Sequence, residues 1–141
     1  MLNKVGLRVV SVSLSPSRMS ELIAVAPTRV IEIGSPVSQR RPDGPRRPAN
    51  MWSLDSDVSS DDLAEHVAGL HPAIDGLARV FAEDPGASAD LVLMILARPF
   101  GAWMDVEPDT IRLLASAGCG MLIDAYESSD EGEDDSHPTP N

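Results

Sequence analysis

An amphipathic helix is the strongest pattern in this chain of 141 residues. Apolar residues recur at spacings of 4, 3, 4, 3 and 4, at Leu63, Val67, Leu70, Ile74, Leu77 and Phe81. Because an α-helix has about 3.6 residues per turn, this spacing places all six on one face. The pattern predicts a long helix with one buried side and a kink at Pro72. Such a helix needs a second layer to pack against.

Strand-like segments on both sides of this helix supply the second layer. The predicted strands cover residues 5–14, 28–33, 51–54, 91–96 and 121–126. The alternation in the first strand changes phase at Val9 and Val10, which predicts either a bulge there or a strand covered on both faces. The run from Leu91 to Leu96 is apolar throughout. It predicts a central strand that is covered on both faces.

Two shorter helices begin at capping signals. Ser15 followed by Pro16 begins the first, and Pro27 ends it. Pro108 begins the second, which carries Ile111, Leu114 and Ala115 and ends at Gly118 in a left-handed conformation. The order β-α-β-β-α-β-α-β predicts an α+β domain over residues 1–126. We expect a mixed sheet of about five strands, with three helices mainly on one face.

Charge is distributed unevenly along the chain, whose formal net charge is -11. Residues 1–50 carry +5, residues 51–126 carry -10 and residues 127–141 carry -6. An acidic body repels phosphate backbones, so nucleic acid is a poor partner and a basic protein is a better one. Residues 35–50 are rich in Pro and Arg and predict a mobile loop. Residues 127–141 lack aliphatic side chains and predict a disordered acidic tail.

The N-terminal segment does not predict a secretion signal. Arg18 and Glu21 interrupt its apolar region, and no apolar run approaches the roughly 20 residues that span a bilayer. Cys119 is the only cysteine, so no intrachain disulfide can form. These features favour a cytoplasmic protein without membrane contact.

The landmarks resemble a known family. They are Thr28-Arg29, Gly34, Trp52-Ser53-Leu54, Leu63, His66, Leu70, Pro72, Leu114-Ala115, Gly118 and Ile123-Asp124-Ala125-Tyr126. Taken together with the order of helices and strands, they are similar to the bacterial domain-of-unknown-function family 4279 over about residues 5–126. The resemblance implies a compact α+β domain and no established activity.

Candidate contact residues fall into two groups. Asp61, Asp62 and Glu65 on the long helix, with Phe100 and Trp103 in a turn-rich connection, predict a surface for a basic protein partner. Four arginines, Arg40, Arg41, Arg46 and Arg47, offer guanidinium groups to an anion. A solvated loop explains the same arginines without any ligand.

No catalytic motif occurs in the sequence. Cys119 lies between two glycines and becomes a nucleophile only if a base approaches it, so we expect a small buried residue at a tight turn. Asp62, Glu65 and His66 fall short of a zinc site, which needs about three suitably placed protein ligands, and His66 is expected at the edge of the buried stripe. We therefore predict no catalytic residues, no metal and no cofactor.

Two classes of function fit these observations. The first is a non-catalytic protein-interaction domain that binds a basic partner, resembling the small acidic immunity proteins that block a toxin. The alternative is a small-ligand-binding domain or small enzyme with a site assembled from Arg29, Trp52, Asp105 and Tyr126. A deep polar pocket favours the alternative, and a flat acidic face rimmed by Phe100 and Trp103 favours the first.

Overall fold

The computed structural model of the protein describes residues 1–97 and 101–127. Its five-stranded sheet consists of β1 (Leu2–Ser11), β2 (Arg29–Ile31), β3 (Asn50–Asp55), β4 (Ser88–Ala97) and β5 (Gly120–Glu127). The strand order is β2-β3-β1-β4-β5. The pairs are antiparallel except for β4 and β5, which are parallel. The predicted mixed sheet and α+β class are confirmed.

The helical segments are α1 (Pro16–Ile23), α2 (Leu63–Asp75), α3 (Leu77–Glu83) and α4 (Pro108–Ser116). The predicted long helix is present as two consecutive segments, α2 and α3, with Gly76 between them. Pro72 lies inside α2, so the interruption comes one turn later than expected. Gly76 is close to α1, since a Cβ there would lie 2.7 Å from the Ile23 Cα.

The helices pack on one face of the sheet, where they bury a single core. Alternate residues of β1 and β4, among them Val5, Leu7, Leu91 and Leu93, contribute to this core. The helical stripe contributes Leu63, Val67, Leu70, Ile74 and Leu77, with Phe81 half-buried at its end. The opposite face, here called the open face, carries Lys4, Arg8, Val92 and Met94, which are half-buried or exposed.

Two local expectations are wrong. The central strand is β1, and β4 lies next to it with only one face fully buried, because no helix in the described part of the chain packs on the open face. The irregularity in β1 lies between Leu2 and Lys4, while Val9 and Val10 pair regularly. In α4, Ile111 is 54% exposed, and the buried residues are Thr110 and Leu114.

The cap predictions are confirmed at the start of α1 and the end of α4, whereas α1 ends at Ile23, with Ala24 in the left-handed conformation three residues before Pro27. The Ser15 side chain accepts a hydrogen bond from the Arg18 backbone N–H, and Pro16 is the first residue of α1. Gly118 has a φ of 72°, the left-handed conformation expected after α4. Residues 35–49 form a hairpin-like loop, because the Val37 N–H donates to the Pro45 carbonyl and the Arg47 N–H donates to the Ser35 carbonyl.

Candidate functional site

A concavity of about 410 Å³ lies at the end of the sheet where β1 begins. It is lined by Met1, Leu2, Asp61, Asp62, Leu63, Ala64, Ile95, Trp103, Met104, Asp105, Glu107 and Thr110. Its floor is apolar, since Leu63 and Ile95 belong to the core. Polar and aromatic side chains surround that floor. We call this concavity the acidic pocket.

The loop before α2 positions two of its carboxylates. Asp62 is the N-cap of α2, and its Oδ1 accepts a hydrogen bond of 3.0 Å from the Ala64 N–H. The Oδ1 atom of Asp61 accepts one of 3.1 Å from the Leu2 N–H, which ties the loop to β1. Both carboxylates are exposed and keep a second oxygen for a ligand.

His66 holds this loop in place by two hydrogen bonds of its imidazole ring. Its Nε2 lies 2.7 Å from the Ser60 carbonyl oxygen, and its Nδ1 lies 2.7 Å from the Ser56 Oγ. A carbonyl oxygen can only accept a hydrogen bond, so Nε2 carries the hydrogen and donates a hydrogen bond to the Ser60 carbonyl. His66 is buried, whereas the sequence placed it at the edge of the stripe. It is a positioning residue for the Asp61 and Asp62 loop.

The connection from β4 to α4 supplies the other wall. Trp103, Asp105 and Glu107 come from this segment, and Glu107 is the residue that precedes the first turn of α4. Trp103 is 84% exposed, far more than a packing role requires. An exposed indole presents a negative π face that attracts cations.

The acidic pocket carries an excess of negative charge. Among the described residues, four carboxylates line it and no Lys, Arg or His side chain does, while the α-ammonium group of Met1, which donates to the Leu96 carbonyl, is a single positive charge beside them. A guanidinium or ammonium group would find acceptors and an aromatic face within one concavity, so the chemistry of the lining suits a cation better than an anion.

The structure brings together three of the five predicted partner-binding residues, Asp61, Asp62 and Trp103. Glu65 is exposed on α2 but does not line the pocket. Phe100 lies outside the described residues, as do residues 128–141 of the predicted tail. Asp105 was predicted only as part of the alternative site, and Glu107 was not predicted. The position of Trp103, Asp105 and Glu107 at every second residue is the signal that could have placed them on a shared side.

The four arginines lie at the other end of the sheet, because their loop joins the end of β2 to the start of β3. Arg40, Arg41 and Arg46 are exposed. The Nη1 of Arg46 donates to the Gly34 carbonyl and the Nη2 of Arg47 donates to the Val37 carbonyl, both at 3.3 Å. These bonds hold the loop together, and the four arginines line neither the acidic pocket nor a second concavity on the open face.

The alternative site of Arg29, Trp52, Asp105 and Tyr126 does not assemble. Trp52 is fully buried in the core, where its Nε1 donates to the Ser20 Oγ at 3.0 Å. Arg29 lines a smaller concavity of about 210 Å³ on the open face, and Asp105 lines the acidic pocket. These three residues therefore occupy three separate places.

Cys119 is a buried thiol. Burial, with a smaller contribution from the charge of Asp90, raises its pKa to about 11. Its Sγ donates to the Gly120 carbonyl oxygen at 3.4 Å. The thiolate that a nucleophile requires is therefore scarce at neutral pH. In residues 1–97 and 101–127, no three His, Cys, Asp or Glu side chains are grouped so that they could hold a metal ion.

The fold and this pocket define a small α+β domain whose five-stranded sheet has helices on one face and a concavity lined by four carboxylates at one end. The family described as domain of unknown function (DUF4279) matches residues 2–128, and the chain belongs to this family. The match confirms the resemblance seen in the sequence. No curated protein and no solved structure matched the chain. None of the helices in the described residues is long and apolar enough to cross a membrane.

Proposed function

We propose that the protein is a non-catalytic interaction domain that binds a basic protein partner at the acidic pocket. The observation that carries the proposal is the convergence of Asp61, Asp62, Asp105 and Glu107 with the exposed Trp103 around one concavity. An immunity-like role, in which an acidic protein occupies the basic surface of a toxin, is one form of this function.

A cationic side chain of the partner is the expected anchor in the pocket. An arginine can pair with two carboxylate oxygens and stack on an indole at the same time, and both contacts strengthen as water is excluded. Asp61 and Asp62 are held by hydrogen bonds before the partner arrives. Little side-chain entropy is then lost on binding.

A small organic cation is a second candidate ligand for the same pocket. The concave shape favours it, since about 410 Å³ lies within the usual range of small-molecule sites. The two candidates share the chemistry of recognition and differ in what remains bound to the purified protein.

The test compares the protein with the double variant Asp61→Asn, Asp62→Asn. Asparagine also caps a helix, so the fold is retained while two charges are removed. Glu65→Gln is the matched control, because Glu65 is an exposed acid on the same helix outside the pocket. Each protein is immobilised and exposed to lysate of the source organism, and retained proteins are identified by mass spectrometry.

The proposal expects a basic protein that the wild type and the control retain and that the double variant binds at least about tenfold more weakly. Its association rate should fall as salt rises, because exposed charges are screened beyond about 8 Å at physiological ionic strength. Trp103→Ala should raise the dissociation rate. A rate independent of salt would contradict the proposal. A small cation seen by native mass spectrometry, in place of a protein, would instead support the second candidate.

A further inference from the structure

The two edges of the sheet differ in how they are protected. β2 has three residues and begins with Arg29, whereas β5 has eight and pairs only with β4 among the described residues. Edge strands are commonly kept from pairing with other chains by shortness, proline, lysine or a bulge. β5 contains no proline or lysine and keeps a regular register with β4.

Apolar side chains are exposed on both faces of this edge. Leu122 pairs with Val92 on the open face and is 42% exposed. Ile123 pairs with the buried Leu93 on the helical side, yet it is 52% exposed, because α4 does not cover this part of the sheet. An incoming strand would gain backbone hydrogen bonds together with apolar contacts above and below.

We propose that β5 pairs antiparallel with β5 of a second copy of this chain, which joins the two sheets into one of ten strands. Charge favours this orientation. Pairing around Ile123 puts the two Glu127 residues at opposite ends, about 26 Å apart at about 3.3 Å per residue. That exceeds the screening length of about 8 Å. The acidic residues 128–141 of the two copies would therefore begin at opposite ends as well.

The register follows from the side chains. When Ile123 faces Ile123, Leu122 faces Asp124 and Met121 faces Ala125, so no carboxylate faces another across the seam. If the pairing were centred on Asp124, the two Asp124 carboxylates would face each other directly, which is unfavourable. If the pairing were centred on Leu122, fewer residues of the two strands would pair. One strand from each copy makes a small interface, so the dimer should dissociate on dilution.

Sedimentation equilibrium of the full chain between about 1 and about 200 µM tests the association. We expect a concentration-dependent dimer whose dissociation constant rises at least about tenfold in Ile123→Lys. Val30→Lys is the matched control, since Val30 is 45% exposed on the other edge strand, and it should leave the constant unchanged. A monomeric wild type, even one that captures another protein, or equal weakening by the two variants would overturn the proposal.

Cross-linking tests the register independently of any loss of stability. In a Cys119→Ala background, Ile123→Cys should form an intermolecular disulfide under mild oxidation. Ala125→Cys should not, because its two Cα atoms would be about 13 Å apart and a disulfide requires less than about 7 Å. Circular dichroism confirms that each variant is folded. Equal cross-linking at both positions would overturn the antiparallel register.

Discussion

The missing side chain at Gly76 determines how closely α1 can approach the junction of α2 and α3. A Cβ at this position would lie 2.7 Å from the Ile23 Cα and 2.8 Å from its carbonyl oxygen. Both atoms belong to backbone, so neither can move aside without displacing α1. The backbone at Gly76 has an ordinary helical φ of -74°, which means that space and not conformation requires glycine here.

Gly76→Ala should therefore destabilise the protein by about 1–3 kcal/mol, the usual cost of overpacking. Gly69→Ala is the control. Its Cβ would meet a single side-chain atom, a methyl carbon of Val58 at 3.2 Å, and no backbone, while alanine favours the helix by up to about 1 kcal/mol. Urea unfolding measures both variants. Equal stability of the two would contradict the close approach of α1.

The raised pKa of Cys119 has a measurable consequence. An increase from 9.0 to about 11 lowers the thiolate fraction about 100-fold at a given pH below both values. Labelling of the native protein with a thiol reagent at pH 8 should be at least that much slower than labelling in denaturant. Labelling at the unfolded rate would show an accessible, activated thiol and reopen the catalytic alternative.

Among the elements, α1 and α3 are joined by an ion pair at their surface. The Arg18 Nε and Nη2 donate to the two carboxylate oxygens of Glu83 at 2.7 and 2.6 Å, and the Nη1 donates to Glu21 at 2.9 Å. The bidentate hydrogen bond from Arg18 lowers the pKa of Glu83 below its ordinary value of 4.5. The pair therefore stabilises the folded state only while Glu83 is ionised.

The pH dependence of Glu83→Gln checks this contribution. A lowered folded-state pKa means that the stabilisation is complete above the ordinary value and is lost as the pH falls through the lowered one. The melting temperature of the wild type should exceed that of the variant at pH 7, and the difference should disappear at acidic pH. Asp84 also has a lowered pKa, because Ser11 donates a hydrogen bond to it. It is present in both proteins, so its contribution cancels in the comparison. If the difference in melting temperature is the same at neutral and at acidic pH, ionisation of Glu83 is not its cause.

Element identity was predictable where one physical signal acted alone. The stripe from Leu63 to Leu77 fixed the buried side of α2 and α3, and Ser15 with Pro16 fixed the start of α1. The position of β4 was not predictable, since an apolar run does not distinguish a central strand from its neighbour. The exposure of Ile111 depends on how far α4 covers β5, which is a property of packing.

The candidate site was predictable only in part for the same reason. Asp61 and Asp62 stood out as acids at a helix start, and Trp103 stood out as an aromatic in a connection. Their proximity depends on the antiparallel β1–β4 pairing, which places the end of β4, where the connection to α4 begins, beside the start of β1. Asp62 and Trp103 are about 40 residues apart along the chain, and a separation of that size does not indicate whether two side chains are close in space.

At the scale of the whole molecule, the acidic end of the sheet is where the tail begins. Glu127 pairs with Ala97 on β4, and the neighbouring Leu96 N–H donates to the carbonyl of Met1, which lines the acidic pocket. The chain beyond Glu127 carries five carboxylates, Asp130, Glu131, Glu133, Asp134 and Asp135. Glu127, the last described residue, therefore lies at the same end of the sheet as the carboxylates of the acidic pocket.

Removal of residues 128–141 should distinguish long-range electrostatic attraction of the partner from direct contact with it. If the tail attracts the basic partner without binding it, truncation lowers the association rate at low salt by up to about tenfold and leaves the dissociation rate unchanged. The melting temperature should stay within a few degrees, because these residues contain no aliphatic side chain that could join the core. Asp61→Asn with Asp62→Asn should differ by also raising the dissociation rate, since the proposed function places those carboxylates in contact with the partner. Stopped-flow association and surface plasmon resonance dissociation, each at two salt concentrations, measure both effects. A faster dissociation after truncation would show that the tail contacts the partner, and a lower melting temperature would show that it contacts the folded domain.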